Sequence, residues 1–206
     1  MARDGTKTQL AIEAPPRLKN DGNRLIRFQM YRELTGRLSG KSGNVLSVGG
    51  SDRLMDVLGM NPVTVTHANY PVHDMTNLNA FDSGAYDFVV SDMVLEHVEG
   101  NPFDAIDSCL RVLGSGGIAV HTTVFSYPIH NVPGDYWRFT PMALSLMHRS
   151  WSLVDVGAWG NFDAISAIHD DDQWSAVPGD SEHPRHILAT DNDPNWPIVT
   201  WVIASK

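Results

Sequence analysis

The segment that most constrains the fold is VLSVGGSD at residues 45–52, where a short apolar strand runs directly into a glycine pair. Residues 52–58 then have helical character, so the chain passes from a strand through a tight turn into a helix. Gly49 and Gly50 allow a ligand to approach the backbone, because glycine has no Cβ and tolerates positive φ. The following helix directs unpaired N–H groups at the same place. This pattern predicts a nucleotide-like ligand at the carboxyl end of the first strand of an α/β sheet.

The composition limits the compartment and the partners. A chain of 206 residues suits one domain, and we expect residues 1–206 to form it, with a mobile arm over residues 1–21. The formal net charge of −9 disfavours nucleic acid as a partner, because that needs clustered Lys and Arg. Cys109 is the only cysteine, so we expect a cytoplasmic location. No apolar run approaches the ~18 residues of a membrane helix.

Strand and helix patterns alternate through the first part of the chain. Apolar runs predict strands at residues 63–67, 88–90 and 118–125, and helical spacing predicts helices at 23–38 and 102–113. The first helix either covers the ligand as a lid or packs on the core. The alternation predicts a Rossmann-like α/β fold, with a mostly parallel sheet and helices on both faces.

The later part of the chain has a different pattern. We predict a helix over residues 141–148, a strand over 151–156, a helix over 161–172, a loop over 173–196 and a final strand over 198–204. No short crossover joins the two late strands, which favours an antiparallel edge on the sheet.

Several segments together resemble the class I S-adenosylmethionine-dependent methyltransferases, most closely the small type 11 methyltransferase domains. These segments are VLSVGGSD, HDM, FDSGAYDFVVSDMVLEHV, CLRVLGSGGIAVHTT, PGDYWRFT and the closing WVIASK. The resemblance covers residues 44–206, and YDFVVSDMVLEHV followed by RVLGSGG is its most specific part. It implies a seven-stranded sheet with a reversed C-terminal strand, and S-adenosylmethionine as the cofactor.

The resemblance also implies a role for each of nine cofactor-binding residues. These are Gly49, Gly50 and Ser51 under the methionine part, Asn69 at the ribose, Asp74 and Met75 at the adenine, and Ser91, Asp92 and Met93 beside the reactive sulfonium. A carboxylate can accept hydrogen bonds from an amine, and a thioether packs against a flat ring.

Two departures from the family pattern leave alternatives open. Ser47 stands where the family usually has an acid before its first glycine, and no acid lies between Asp56 and Asp74, after the second strand. Asn69 is the best-placed substitute at the ribose. One alternative is therefore a non-catalytic binding or partner subunit with a degenerate pocket. Another keeps the fold but binds a different nucleotide-like ligand.

Methyl transfer to a hydroxyl requires a base, and four residues are candidates: His97, His121, His130 and Asp135. We prefer His130, because its loop at residues 127–140 follows the fifth strand of the family and would cover the acceptor. His97 is the second catalytic candidate, and its alternative role is that of a packing histidine.

The block PGDYWRFT supplies the predicted acceptor contacts, Asp135, Tyr136, Trp137 and Arg138. Two aromatic rings, a carboxylate and a guanidinium suit a sugar, although the block could instead anchor the loop. The family's Asn-Pro-Pro-aromatic motif for nucleic-acid bases and glutamine amides is absent, which favours a small-molecule or glycan acceptor. No metal site is predicted, because Glu182, His183 and His186 lie in a predicted loop without a cysteine partner.

Overall fold

The computed structural model describes residues 24–170 and 175–206. The predicted arm over residues 1–21 lies outside the described residues, as does the end of the helix predicted over 161–172. Within the two described ranges, no helix is both long and apolar enough to cross a membrane. The cytoplasmic location stays a prediction.

The sheet has six strands within the described residues, in the spatial order β2-β1-β3-β4-β6-β5. They are β1 (Asn44–Val48), β2 (Thr64–Ala68), β3 (Tyr86–Asp92), β4 (Leu113–Val124), β5 (Leu153–Trp159) and β6 (Val199–Ser205). The first four strands pair in parallel, and β6 lies antiparallel between β4 and β5. The predicted Rossmann-like sheet with a reversed C-terminal strand is therefore confirmed.

The expected count of seven strands is wrong for the described residues. Between β2 and β3, residues 69–85 form turns and one isolated bridge, from Asp74 to Asn77. A parallel crossover takes about a dozen residues or more. This segment is long enough to connect β2 to β3 but too short to hold another helix and strand as well. As a result, β2 is an edge strand of the sheet in the part of the chain that the structure describes.

Helices cover both faces of the sheet. They are α1 (Leu25–Leu34), α2 (Asp52–Leu58), α3 (Pro102–Val112), α4 (Pro141–Met147), α5 (Phe162–His169) and α6 (Pro184–Thr190). One apolar cluster joins the sheet to α1, α2, α5 and α6, and a second joins it to α3 and α4. Leu25, Met30 and Leu34 are fully buried in the first cluster, so α1 packs on the core.

Two local differences separate the structure from the sequence-based expectation. Residues 114–117 follow α3 as expected, but they already belong to β4. Helix α6 lies where a loop was predicted. Pro184 occupies its first turn, and the His183 Nδ1 caps it by accepting from the Arg185 N–H at 3.1 Å. Only Ala189 of this helix is buried, so apolar spacing gave no helical signal.

Candidate functional site

A cavity of about 560 Å³ opens at the carboxyl ends of β1 and β2 and beside the turn that follows β3. Three segments and one loop form its wall: Val48, Gly49 and Gly50; Ala68, Asn69, Tyr70, His73, Asp74 and Met75; Met93, Val94, His97, Val98 and Glu99; and Val132 and Pro133. The volume falls in the range of small-molecule and cofactor sites. The carboxyl edge of the parallel strands is also where open α/β sheets bind their ligands.

The glycine loop presents bare backbone to this cavity. Gly49 and Gly50 have φ values of +70° and +74°, which favour glycine. A Cβ on Gly49 would lie 2.6 Å from Val94 Cγ2, whereas a Cβ on Gly50 would meet no atom within 4 Å. Gly49 thus allows the close approach of the loop to Val94, and Gly50 leaves room for a ligand.

Serine hydroxyls hold the glycine loop in place. The Ser47 hydroxyl donates to Asp52 Oδ1 at 2.9 Å and accepts from the Ser51 N–H at 3.1 Å. The Ser51 hydroxyl donates to the Val48 carbonyl at 2.5 Å and accepts from the Asp92 N–H at 2.7 Å. The Ser51 side chain therefore supports the loop from below. Ser47 takes the place of the family's acid, and Asp52 supplies a carboxylate to the same network.

The segment after β2 brings the predicted ribose and adenine residues to one side of the cavity. Asn69, Asp74 and Met75 all line it, and His73 joins them. Asp74 Oδ1 accepts from the N–H and the hydroxyl of Thr76, both at 2.8 Å. These bonds fix the carboxylate and leave its second oxygen for a ligand.

The three residues predicted beside the sulfonium face different ways. Met93 lines the cavity with a φ of 55°, which is uncommon for a residue other than glycine. Ser91 is fully buried, and its hydroxyl lies 2.7 Å from His121 Nδ1. His121, one of the candidate bases, is also fully buried and does not line the cavity.

Protein groups surround the Asp92 carboxylate. It accepts from the Tyr31 hydroxyl at 2.5 Å and from the Thr122 hydroxyl at 2.6 Å, and Arg27 Nε lies 3.5 Å away. Burial, followed by the charge of Asp92, raises the pKa of Tyr31, which therefore stays protonated as a donor. Asp92 thus links β3 to α1 in this structure.

A 3-10 turn over Leu95–His97 follows β3 and carries the buried Glu96. The main-chain carbonyl of Glu96 accepts from the N–H groups of Tyr136 and Trp137 at 2.8 and 3.2 Å. Its Oε2 accepts from the Thr123 hydroxyl at 2.8 Å. Burial raises the pKa of Glu96 to about 6, although the neighbouring His97 acts in the opposite direction.

The two preferred catalytic histidines are in contact. The rings of His97 and His130 cross edge to face with centroids 4.8 Å apart. His97 lines the cavity, and its Nδ1 bonds to the carbonyl of Gly134. His130 lies next to it, outside the cavity wall, and the main-chain N–H of His130 donates to Asp135 Oδ2 at 2.9 Å. Burial and the charge of His97 lower the pKa of His130, so its neutral form prevails at neutral pH.

The predicted acceptor residues lie beside the 3-10 turn, outside the cavity wall. Arg138 pairs with Asp135, with Nη2 at 2.8 Å from Oδ2. Burial opposes ionisation of Asp135, but the bonds from Arg138 and His130 outweigh it and lower its pKa. Trp137 Nε1 donates to the main chain at 2.9 Å. These are the contacts of an anchor, while the rings of Tyr136 and Trp137 remain 50% and 37% exposed.

Several wall residues were not predicted. Tyr70 precedes the HDM motif, His73 is the first residue of that motif, and Glu99 follows LEHV, so position in or near a motif was the available signal. Glu96 is part of the LEHV motif, but the motif does not reveal the surroundings of its carboxylate, which come from β4 and from the loop after it. The histidines of α6 lie elsewhere, where His186 Nδ1 is 2.7 Å from the Pro178 carbonyl.

The residues around the cavity fit S-adenosylmethionine. The glycine backbone suits the methionine part, Asn69 can bond a ribose hydroxyl, and the free oxygen of Asp74 can accept from the adenine amine. Met75 and Val94 supply apolar contact for a flat ring. The carboxylates of Asp74 and Glu99 in the wall favour a cationic ligand.

Comparison with known proteins supports this assignment. Residues 32–121 match the type 11 family described as "Methyltransferase domain". No curated protein sequence matches the chain.

Three solved structures share the fold at low identity. A methyltransferase from Thermotoga maritima is 13% identical with a TM-score of 0.54, covering 88% of this chain and 91% of its own. A methyltransferase from Archaeoglobus fulgidus is 13% identical with a TM-score of 0.52, and the match covers 88% of this chain and 92% of that protein's chain. The third is a chain from the complex between the Haloferax volcanii Trm112 methyltransferase activator and a methyltransferase. It is 13% identical with a TM-score of 0.53, and the match covers 90% of this chain and 91% of that chain. The family match identifies residues 32–121 as a type 11 methyltransferase domain, for which S-adenosylmethionine is the cofactor, and the chain shares the fold of solved S-adenosylmethionine-dependent methyltransferases.

Proposed function

We propose that the chain transfers the methyl group of S-adenosylmethionine to an oxygen or nitrogen of a small polar acceptor. The observation that carries this proposal is the composition of one cavity wall. The glycine backbone and Asp74 lie in the same wall as His97, so a cofactor site and a proton acceptor share one space. Residues 1–206 would act as a single domain.

The bound cofactor supplies an electrophilic methyl group on a sulfonium. The protein contributes chiefly orientation, because holding two reactants in line can supply much of the rate enhancement. Met93 and Val94 border the space where the sulfonium would lie. We place the acceptor between these residues and His97.

An acceptor hydroxyl must lose its proton as its oxygen gains the methyl group. His130 is the proposed base, with His97 as the second candidate. His130 Nδ1 has the Pro128 carbonyl at 3.4 Å and Asp135 Oδ2 at 3.1 Å, contacts that orient the imidazole and leave Nε2 free to accept a proton. The proton would move from the acceptor oxygen to this nitrogen, either directly or by way of His97.

The exposed rings of Tyr136 and Trp137 support a glycan or sugar-like acceptor. They lie next to the 3-10 turn that carries His97, and Tyr136 N–H bonds to that turn. Sugar rings stack on such aromatic surfaces through their apolar faces. The ion pair between Asp135 and Arg138 would then stabilise the loop segment PGDYWRFT and would not contact the sugar.

A screen of radiolabelled methyl transfer tests the proposal. Sugars, nucleotide sugars and small amines would be offered with S-adenosylmethionine, and the screen repeated with the Gly50→Val variant. We expect transfer to a polar acceptor by the wild-type chain and its loss in the variant, because a side chain at Gly50 would enter the cofactor space. Transfer that is unchanged in Gly50→Val would contradict the proposed site.

A non-catalytic role as a partner subunit is the alternative. Ser47 and Asn69 in place of the family's acids support it, and the Haloferax volcanii neighbour comes from a complex with the Trm112 methyltransferase activator. Absence of S-adenosylhomocysteine binding, together with no transfer to any acceptor class, would favour this role.

A further inference from the structure

Three side chains near the cavity gather their potential ligand atoms in one small volume. One carboxylate oxygen of Glu96 and one imidazole nitrogen from each of His97 and His130 all lie within 4.8 Å of one another. The three residues come from the 3-10 turn after β3 and from the loop after β4. Two segments distant in sequence therefore converge on one point.

The Glu96 carboxylate lacks a partner on the side that faces the histidines. Its Oε2 accepts from the Thr123 hydroxyl, but Oε1 has no hydrogen-bond donor within the described residues. The residue is 0% exposed, and Oε1 lies 4.0 Å from His97 Nε2. A buried carboxylate oxygen without a donor is costly, and a cation would remove that cost.

Both imidazoles have their Nδ1 atoms engaged. The Nδ1 of His97 bonds to the Gly134 carbonyl, and the Nδ1 of His130 has the Pro128 carbonyl at 3.4 Å and Asp135 Oδ2 at 3.1 Å. A carbonyl or carboxylate at Nδ1 keeps a hydrogen there and leaves the Nε2 lone pair free. Metal-binding histidines have this outer arrangement.

The charges around the cluster are compatible with a cation. Among the described residues, the charges of Arg138 and Asp92 act on Glu96. Arg138 is paired with Asp135, and Arg27 Nε lies 3.5 Å from Asp92, so the negative charge of ionised Glu96 is left without a paired cation in this part of the chain. The cluster therefore has a net negative charge that a bound cation would offset.

We propose that Glu96, His97 and His130 bind a divalent transition-metal ion such as Zn²⁺. Two imidazole nitrogens and one carboxylate oxygen suit this class, whereas Mg²⁺ and Ca²⁺ prefer sites made wholly of oxygen. Tetrahedral ligands about 2.0 Å from Zn²⁺ lie about 3.3 Å apart. The 4.0 Å between Glu96 Oε1 and His97 Nε2 is close to that spacing and requires only a small side-chain adjustment.

Three protein ligands leave a coordination position open. Because His97 also lines the cavity, an ion at this site would border the space proposed for the acceptor. An acceptor hydroxyl at the open position would lose its proton to water, since a bound divalent ion makes such a group more acidic. The histidines would then act as ligands, and the base proposed above would serve only in the ion-free chain.

Metal binding is tested without cofactor or acceptor, so its failure leaves the methyl-transfer proposal untouched. The tag-free full chain is freed of metal with a chelator, dialysed and titrated with Co²⁺, whose visible absorption reports a site with nitrogen ligands. We expect one equivalent to bind, to be displaced by Zn²⁺ and to be unaffected by Mg²⁺. Absence of binding at millimolar Co²⁺ would overturn the proposal.

Three variants locate the ion. Glu96→Gln keeps the shape of the buried side chain, His130→Asn changes a partly exposed one, and His169→Gln removes an exposed histidine at the end of α5 as the matched control. We expect the first two to weaken Co²⁺ binding at least about 10-fold, and the control to bind like the wild type. Near-identical thermal unfolding in chelator would show that the variants are folded. Equal Co²⁺ affinity in all three variants would contradict the assignment.

Discussion

Two pairs of histidines in this molecule have comparable ring separations and different surroundings. His97 and His130 lie 4.8 Å apart beside the cavity, together with the carboxylates of Glu96 and Asp135. His121 and His148 lie 5.7 Å apart inside the core between β4 and α4, and both are fully buried.

The difference lies in whether a positive charge can be accommodated. The cavity pair has carboxylates that can hold a proton or a metal ion near the rings. The core pair has the Ser91 hydroxyl at His121 Nδ1 and the Leu144 carbonyl at His148 Nδ1, and no carboxylate among these contacts. Burial therefore lowers the pKa of both His121 and His148, and neither ring has a partner at Nε2 among the described residues. We expect the first pair to affect turnover and the second to affect stability.

The largest expected effect is that of His130→Ala on turnover. In the chelator-treated enzyme, removal of the base should lower kcat for an acceptor hydroxyl about 100-fold or more. The affinity for S-adenosylhomocysteine should stay the same, because His130 lies outside the cavity wall. His169→Ala serves as the control. Full activity of His130→Ala would eliminate it as the base and leave His97 as the candidate.

The core pair should make folding sensitive to acid. His121 has a native pKa well below its ordinary value of 6.5, so below that pH the unfolded chain binds more protons than the folded one. Its contribution to stability is therefore present above pH 6.5 and is lost as the pH falls. For His121 alone, the free energy of unfolding should fall between pH 7 and pH 5, with an upper limit of about 2 kcal/mol that is reached when the folded chain keeps the ring neutral throughout.

Urea unfolding at several pH values measures this effect. A His121→Gln variant should show a shallower fall over the same pH range, even if it is less stable at pH 7. An equally steep fall in the variant would show that other groups cause the acid sensitivity.

At the other end of the cavity, Asp74→Ala should weaken cofactor binding. The free carboxylate oxygen is proposed to accept from the adenine amine, and its loss should raise the dissociation constant of S-adenosylhomocysteine about tenfold. Asp82→Ala changes an exposed acid in the same connecting segment and is the control. Equal dissociation constants for both variants would contradict the placement of the adenine.

The smallest expected effect is that of Tyr31→Phe, which removes one donor from Asp92. Thr122 and Arg27 still surround the carboxylate, so the free energy of unfolding should fall by about 1 kcal/mol. Cofactor affinity should change little, since Asp92 does not line the cavity. A large loss of affinity with unchanged stability would show that Asp92 faces the sulfonium instead.

The sequence predicted the parts of the fold and site that depend on local pattern. The glycine loop, the reversed last strand and the position of Asp74 and Met75 beside the cavity follow from short motifs and their order along the chain. The missing seventh strand was not visible, because the resemblance to a family does not reveal a shortened connection such as residues 69–85.

The surroundings of Glu96 depend on contacts between distant segments. Its carbonyl accepts from Tyr136 and Trp137 in another loop, and its side chain bonds to Thr123 of β4. No periodicity or local spacing indicates such contacts. The sequence therefore indicated His97 and His130 as separate catalytic candidates, but it gave no sign that both lie beside the buried carboxylate of Glu96.

Calorimetric titration of the full chain with S-adenosylhomocysteine measures whether the cavity binds the cofactor. The fit of the glycine loop, Asn69 and Asp74 predicts one binding site with a micromolar dissociation constant, and weaker binding by Asp74→Ala. No heat of binding at millimolar ligand would contradict the account and favour the partner-subunit role.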